Sequence, residues 1–236
     1  MKKFIICDDF FEIFPEAVFG IVVARGVDNS PRDTAEYIRI LREAEDESEK
    51  HIRLDPLSRN PAIAVWREAF QKFKTKKGAR SSIEAMLKRV SKGERINSIS
   101  PVVDLYNSIS LRYGMSCGAE DIDAFVGDLL ITLADGTEEF MLIGSEENDP
   151  PVAGEIIYKD DAGAVCRNFN WRESKRTMVS ETTKNVFSSI ELVNKERLTE
   201  LKTAVEELAD LYEKYLGGQA EAFVLDKDNN FAIIED

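Results

Sequence analysis

The chain has 236 residues, 43% of them hydrophobic and 32% charged, enough for one sizeable core or for a large and a small domain; this excludes a disulfide-stapled mini-protein, a disordered chain and a fibrous repeat. Its formal net charge of −13 argues against a general nucleic-acid binder, because affinity for phosphates is built from clustered Lys and Arg. The longest apolar run, residues 17–24, falls far short of the roughly 20 residues that span a bilayer.

In the opening Met1-Lys2-Lys3-Phe4-Ile5-Ile6-Cys7-Asp8-Asp9, acids interrupt before a signal-peptide apolar region forms, so a cytoplasmic protein with no membrane partner is expected. The first strand is expected at 17–24, closed by Gly26 and Asn29. A helix follows: Ser30-Pro31 reads as an N-cap with proline at the first helical position, and Tyr37, Ile38, Leu41 and Ala44 recur at helical spacing. Asn60-Pro61 and Ser100-Pro101 repeat that start signal, and Ser81-Ser82 before Glu84 is a further cap. After Asp121 the pattern turns to strands: 129–133 and 139–143 across Asp135-Gly136, then 154–158 and 164–169 across Asp160-Asp161-Ala162-Gly163, then 185–193. Leu198, Leu201, Val205, Leu208 and Tyr215 give a long helix stopped by Gly217-Gly218, of the kind that covers a sheet. A last hairpin is expected from 222–225 and 231–234. With no Pro/Gly/Ser-rich linker, the chain reads as one α+β domain over 1–236, a helical N-terminal half packed on a largely antiparallel mixed sheet.

Charge is segregated. Between residues 64 and 95 ten basic residues face three acids, a net +7 that leaves −20 on the remainder. Lys72, Lys74, Lys76, Lys77, Arg80, Lys88 and Arg89 are therefore the candidate contacts for one anionic partner, the alternative being a solvated helical face. Three widely spaced cysteines (Cys7, Cys117, Cys166) and a single histidine, His51, argue against a zinc site or a disulfide framework, and neither metal nor cofactor is expected. His51 reads as an exposed helix end. Nucleophile elbows, phosphate-binding loops and dinucleotide fingerprints are not legible in the sequence.

Arg167-Asn168-Phe169-Asn170-Trp171-Arg172-Glu173 follows a predicted strand and offers fixed donors, a bidentate cation and a flat apolar wall. Arg167, Asn170, Trp171 and Arg172 are candidate ligand contacts; the alternative makes Trp171 a core-edge anchor and the arginines surface. Glu191 shares its pleat parity with Phe187 and Ser189 and would either point into a pocket or face solvent. Asp104 and Asn107 lie three apart near a helix start, where they would either position a ligand or cap the helix.

The stretch Ile96-Asn97-Ser98-Ile99-Ser100-Pro101-Val102-Val103-Asp104-Leu105-Tyr106-Asn107, with Gly114 after it, resembles the Asn, Val-Val-Asp, Asn and Leu-Gly pattern of the tRNA-editing domain of the phenylalanyl-tRNA synthetase beta subunit, the B3/4 domain. Asp121-Ile122-Asp123 fits that domain's post-helix Asp, and Glu181-Thr182-Thr183-Lys184-Asn185-Val186 with Ser189-Ile190-Glu191 resembles its Glu-Thr-x-Asn-Val and Leu-Glu stretch. Residues 168–173 resemble the freestanding relatives of that domain. The resemblance spans roughly 64–193, with 194–236 as an extension. It implies the fold of that domain and a tRNA or aminoacyl-tRNA partner. It also implies an aminoacyl-tRNA deacylase activity in trans, with the residue matching Glu191 reading a tyrosine hydroxyl and water held by backbone groups and the ribose. A non-catalytic binder of an amino-acid-like metabolite is the alternative, and a tRNA-binding module with a dead pocket a third. Two departures stand out. The family's histidine is Gly118 here, and its Thr-x-Ala after the glutamate has no counterpart, so the pocket floor is expected to differ. No class II synthetase motif is visible, so the chain is not expected to aminoacylate by itself.

Overall fold

A computed structural model describes residues 1–31 and 34–235. Two sheets form the centre. A six-stranded sheet runs in the order β10 (Phe231–Glu235), β1 (Lys2–Ile6), β4 (Leu129–Leu133), β5 (Ile156–Asp160), β6 (Gly163–Arg167) and β7 (Arg172–Glu173). A four-stranded sheet runs β3 (Ser116–Asp121), β8 (Asn185–Leu192), β2 (Val18–Arg25) and β9 (Gln219–Leu225). β1 and β4 are parallel and the other ladders antiparallel. Helices α1 (Asp8–Ile13), α2 (Thr34–Ser48), α3 (Pro61–Ala69), α4 (Ser82–Val90) and α5 (Pro101–Tyr113) fall in the first half, and α6 (Leu198–Leu216) in the second. The α+β architecture with a helical first half is as the sequence predicts.

Alternation along β2 divides the core. Phe19, Ile21 and Val23 pack with Phe4, Ile6, Phe10 and Phe187 between the sheets, while Val18, Val22 and Ala24 pack with α6 and α5. Burying both faces explains why β2 reads as a continuous apolar run. α6 covers the outer face through Leu201, Val205, Leu208 and Tyr212, as its heptad-like spacing predicts. Ser81 and Ser100 cap α4 and α5, accepting from the amides of Glu84 and Val103. No helix among the described residues is long and apolar enough to cross a membrane.

Four expectations need correction. Residues 139–143 do not pair with β4, whose two edges are taken by β1 and β5. The Asp135-Gly136 turn is closed instead by the Glu138 carboxylate, which accepts from both amides at 3.0 Å and pulls the chain away from the ladder. β9 and β10 follow one another but enter different sheets, because Asn230 bonds both backbone groups of Ile6 and carries β10 onto β1. The described part of α2 begins at Thr34 and not at Pro31; Arg32 and Asp33, between them, lie outside the described residues. His51 is half-buried, its Nε2 3.0 Å from the Arg112 carbonyl and its ring against Gly114, the left-handed cap of α5.

Candidate functional site

Register brings the site together. Ser116 lies opposite Glu191, Gly118 opposite Ser189 and Glu120 opposite Phe187, so these side chains share the face of the four-stranded sheet that meets the other sheet. Glu191 is fully buried. The Tyr158 hydroxyl of β5 donates to its Oε1 at 2.8 Å, while Oε2 has no partner. Burial pushes the Glu191 carboxyl up to about 8, against the lowering influence of the Tyr158 hydrogen bond and of the polar Ser116 and Asn170 side chains nearby, so it is mostly protonated at neutral pH. Ser189 Oγ accepts from Asn170 Nδ2 at 3.1 Å and lies 3.2 Å from the Tyr158 hydroxyl. Further along the seam, Glu120 Oε1 accepts from the Cys166 thiol at 2.9 Å and Oε2 is again unpartnered. Burial, then the Glu173 charge, pushes Glu120 well above the carboxylate range.

The turn that carries Asn170 is held under strain. Asn168 and Phe169 have φ of 54° and 59°, the left-handed region that costs a non-glycine residue about 1–3 kcal/mol. Its surroundings fix it in place: Phe169 packs against Trp66, Phe14, Phe10 and Phe73 with ring centroids 5.0–5.8 Å apart, and Asn168 Nδ2 donates to Glu155 at 2.6 Å. Asn170 then reaches inward over Gly118. A Cβ at Gly118 would sit 2.6 Å from the Asn170 Cγ and Oδ1, so the amide occupies the space where the resemblance implies a family histidine.

The other predicted residues lie elsewhere. Trp171 is half-buried, with the Arg172 guanidinium 4.7 Å and the Arg80 guanidinium 5.5 Å from its ring centre. Arg167 is spent on the scaffold: its guanidinium is buried against Glu155 at 3.0 Å and Asp149 at 2.9 Å. Asp104 is buried at the start of α5, where Oδ1 accepts from the Ile99 amide at 2.9 Å and Oδ2 from the Ser98 hydroxyl. That is a capping role, and Asn107 is buried one turn along the same helix. Tyr158, Glu120, Ser116 and Cys166 are not singled out as site residues by the sequence; the shared parity of 116, 118 and 120 is a signal for Ser116 and Glu120 once a strand is read there, and no local signal points to Tyr158 or Cys166. Among the described residues, no group of His, Cys, Asp and Glu is placed to hold a metal.

The sequence model of the B3/4 domain matches residues 65–217. The chain belongs to the B3/4 domain family. The match runs on through α6. Among solved structures, this B3/4-domain protein is similar to an N-terminal fragment of the phenylalanyl-tRNA synthetase beta-subunit from Pyrococcus horikoshii, at 13% identity and a TM-score of 0.45, over 95% of this chain and 54% of that one. The chain thus spans about half the length of that structure. No curated protein matches.

The basic segment of the B3/4-domain protein surrounds α3 and α4. Lys77 and Lys88 are exposed, Lys72 lies 5.5 Å from the Phe14 ring centre and Lys74 packs on Gly154. Lys76 reaches Asp149 and the Pro150 carbonyl, and Arg89 donates to the Arg95 carbonyl at 2.9 Å. The segment is therefore partly a surface of free cations and partly tied down.

Proposed function

We propose that this B3/4-domain protein associates with tRNA in the cytoplasm and hydrolyses mischarged aminoacyl-tRNA in trans. The observation that carries the reading is the Glu191 carboxyl, buried between the sheets and pushed up to about 8, with one oxygen unpartnered and the Asn170 and Ser189 side chains beside it. A neutral carboxyl both donates and accepts, so it can read a ligand hydroxyl without leaving a charge in a dry site, and an analogue lacking that hydroxyl leaves the group unpaired. In the reaction, water adds to the ester carbonyl and the bond to the ribose oxygen breaks. The amino acid leaves as the acid and the tRNA hydroxyl is regenerated. The family resemblance supplies the substrate class, and the cations of 64–95 supply attraction to its phosphates.

One observation favours a second reading, binding of an amino-acid-like metabolite without turnover. The hydroxyl on Glu191 is already the chain's own, from Tyr158 at 2.8 Å. Deacylation of a panel of correctly and wrongly charged tRNAs, beginning with tyrosine on phenylalanine tRNA, separates the two. Loss of one mischarged species with the intact protein supports hydrolysis. No loss anywhere, in a protein that binds free amino acids, supports the second reading.

A further inference from the structure

The six-stranded sheet ends in an open edge. β10 is its outermost strand, antiparallel to β1, with Ile5 opposite Phe231, Phe4 opposite Ala232 and Lys3 opposite Ile233. Ile6 donates to the Asn230 carbonyl at 2.8 Å, so alternation along the ladder turns the backbone groups of Ala232 towards β1 and those of Phe231 and Ile233 away from it. No strand among the described residues pairs with that outer side of β10. The side chains there are exposed as well, Phe231 by 47% and Ile233 by 38%. Phe4, Ala232 and Ile234 take the core face, and on the opposite face the half-exposed Ile5 and Leu130 continue from Phe231 across β1 and β4 as an apolar strip. An unpaired apolar edge of this kind is a template for another strand.

Charge decides which strand. Lys3 lies over the Phe231 ring, 5.2 Å from its centre, and has no carboxylate partner among the described residues. Glu235, at the far end of β10, holds Lys2 of its own chain at 3.0 Å and keeps 39% of its side chain exposed. Antiparallel pairing of β10 with a second β10 over its full length centres a two-fold axis on Ile233, so that Ile233 meets the partner's Ile233 and Phe231 meets the partner's Glu235. Side chains directly opposite one another across such a ladder are about 5 Å apart at Cβ, which brings the partner's Glu235 beside Lys3. The edge is thus self-complementary in hydrogen bonding, in apolar surface and in charge.

We propose that this edge joins a second copy of the chain, β10 to β10, in a two-fold dimer whose two six-stranded sheets form one continuous sheet. β10 and β7 are at opposite ends of their sheet, so the interface leaves the turn that carries Asn170 free. The proposal goes beyond the hydrolase reading and does not need it.

Sedimentation equilibrium of the full chain at concentrations up to about 100 μM tests it. The wild type is expected to dimerise. Ile233→Lys, which sets two like charges face to face on the axis, is expected to abolish the dimer, and Lys3→Glu and Glu235→Lys each to weaken it by at least about tenfold. Mixing these two charge variants in equal amounts should restore association, because both contacts of the mixed dimer then pair a carboxylate with an ammonium group. All three positions are exposed or half-exposed, and thermal melts confirm that the variants fold. A wild type that stays monomeric throughout, or a dimer that Ile233→Lys leaves intact, overturns the proposal. Charge variants that dimerise as the wild type does, or a mixture that stays monomeric, overturn it as well, since the pairing register requires both effects.

Discussion

Glu191→Gln isolates the electrostatic term at the centre of the seam. The folded protein holds this carboxyl at about 8, above its ordinary 4.5, so between those values it is protonated when folded and ionised when unfolded. The unfolded state then binds fewer protons, and stability falls as pH rises through the window and levels off above it. Each unit is worth about 1.4 kcal/mol, which sets a ceiling of roughly 5 kcal/mol on the loss. Glutamine keeps the shape and an oxygen for Tyr158 but has no such term. Urea unfolding of both proteins from about pH 5 to about pH 8.5 should therefore show the variant gaining on the wild type by about 2–4 kcal/mol across the range. A constant offset between the two proteins does not matter, and titrations common to both cancel. Parallel stability curves would refute the account of a buried, neutral Glu191.

Gly118→Ala should cost about 1–3 kcal/mol in urea unfolding, because the new methyl meets Asn170 at 2.6 Å; equal costs in the Asn170→Ala background and in wild type would show that the two do not touch. Arg167→Leu leaves the buried Glu155 charge uncompensated and should cost about 3–5 kcal/mol, with Glu155→Gln in the same chain recovering part of it; a loss under about 1 kcal/mol counts against the ion pair. Burial lowers the His51 pKa from its ordinary 6.5, so the imidazole should titrate by NMR below that value, and charging it on acidification should destabilise the fold. A midpoint at or above the ordinary value contradicts its half-buried position.

Local signals carried most elements. Ser81-Ser82, Asn60-Pro61, Ser100-Pro101 and Gly217-Gly218 mark helix ends because capping chemistry is local, and the Asp160–Gly163 turn closes its hairpin as expected. β1 and β3 were missed. β1 lies in a six-stranded sheet whose neighbours come from residues 129–133 and 231–235, and β3 is rich in small and acidic residues with low strand propensity. Missing β3 hid the site, since Ser116 comes opposite Glu191, and Glu120 opposite Phe187, only through long-range register. Parity along β8 puts Glu191 on one face with Phe187 and Ser189 but leaves open whether that face meets a pocket or solvent; the structure buries it. Parity could not show that Tyr158, 33 positions earlier, meets it, or that Arg167 is drawn off to Glu155 while Asn170, three residues later, enters the seam.

Single-turnover deacylation of a wrongly charged tRNA and of its correctly charged counterpart, by wild type and by Glu191→Gln, tests the hydrolase reading most directly. The wild type is expected to cleave the wrongly charged ester preferentially, and Glu191→Gln, still folded, to lose that preference. The same preference in both proteins, or no cleavage by either, contradicts the role given to Glu191.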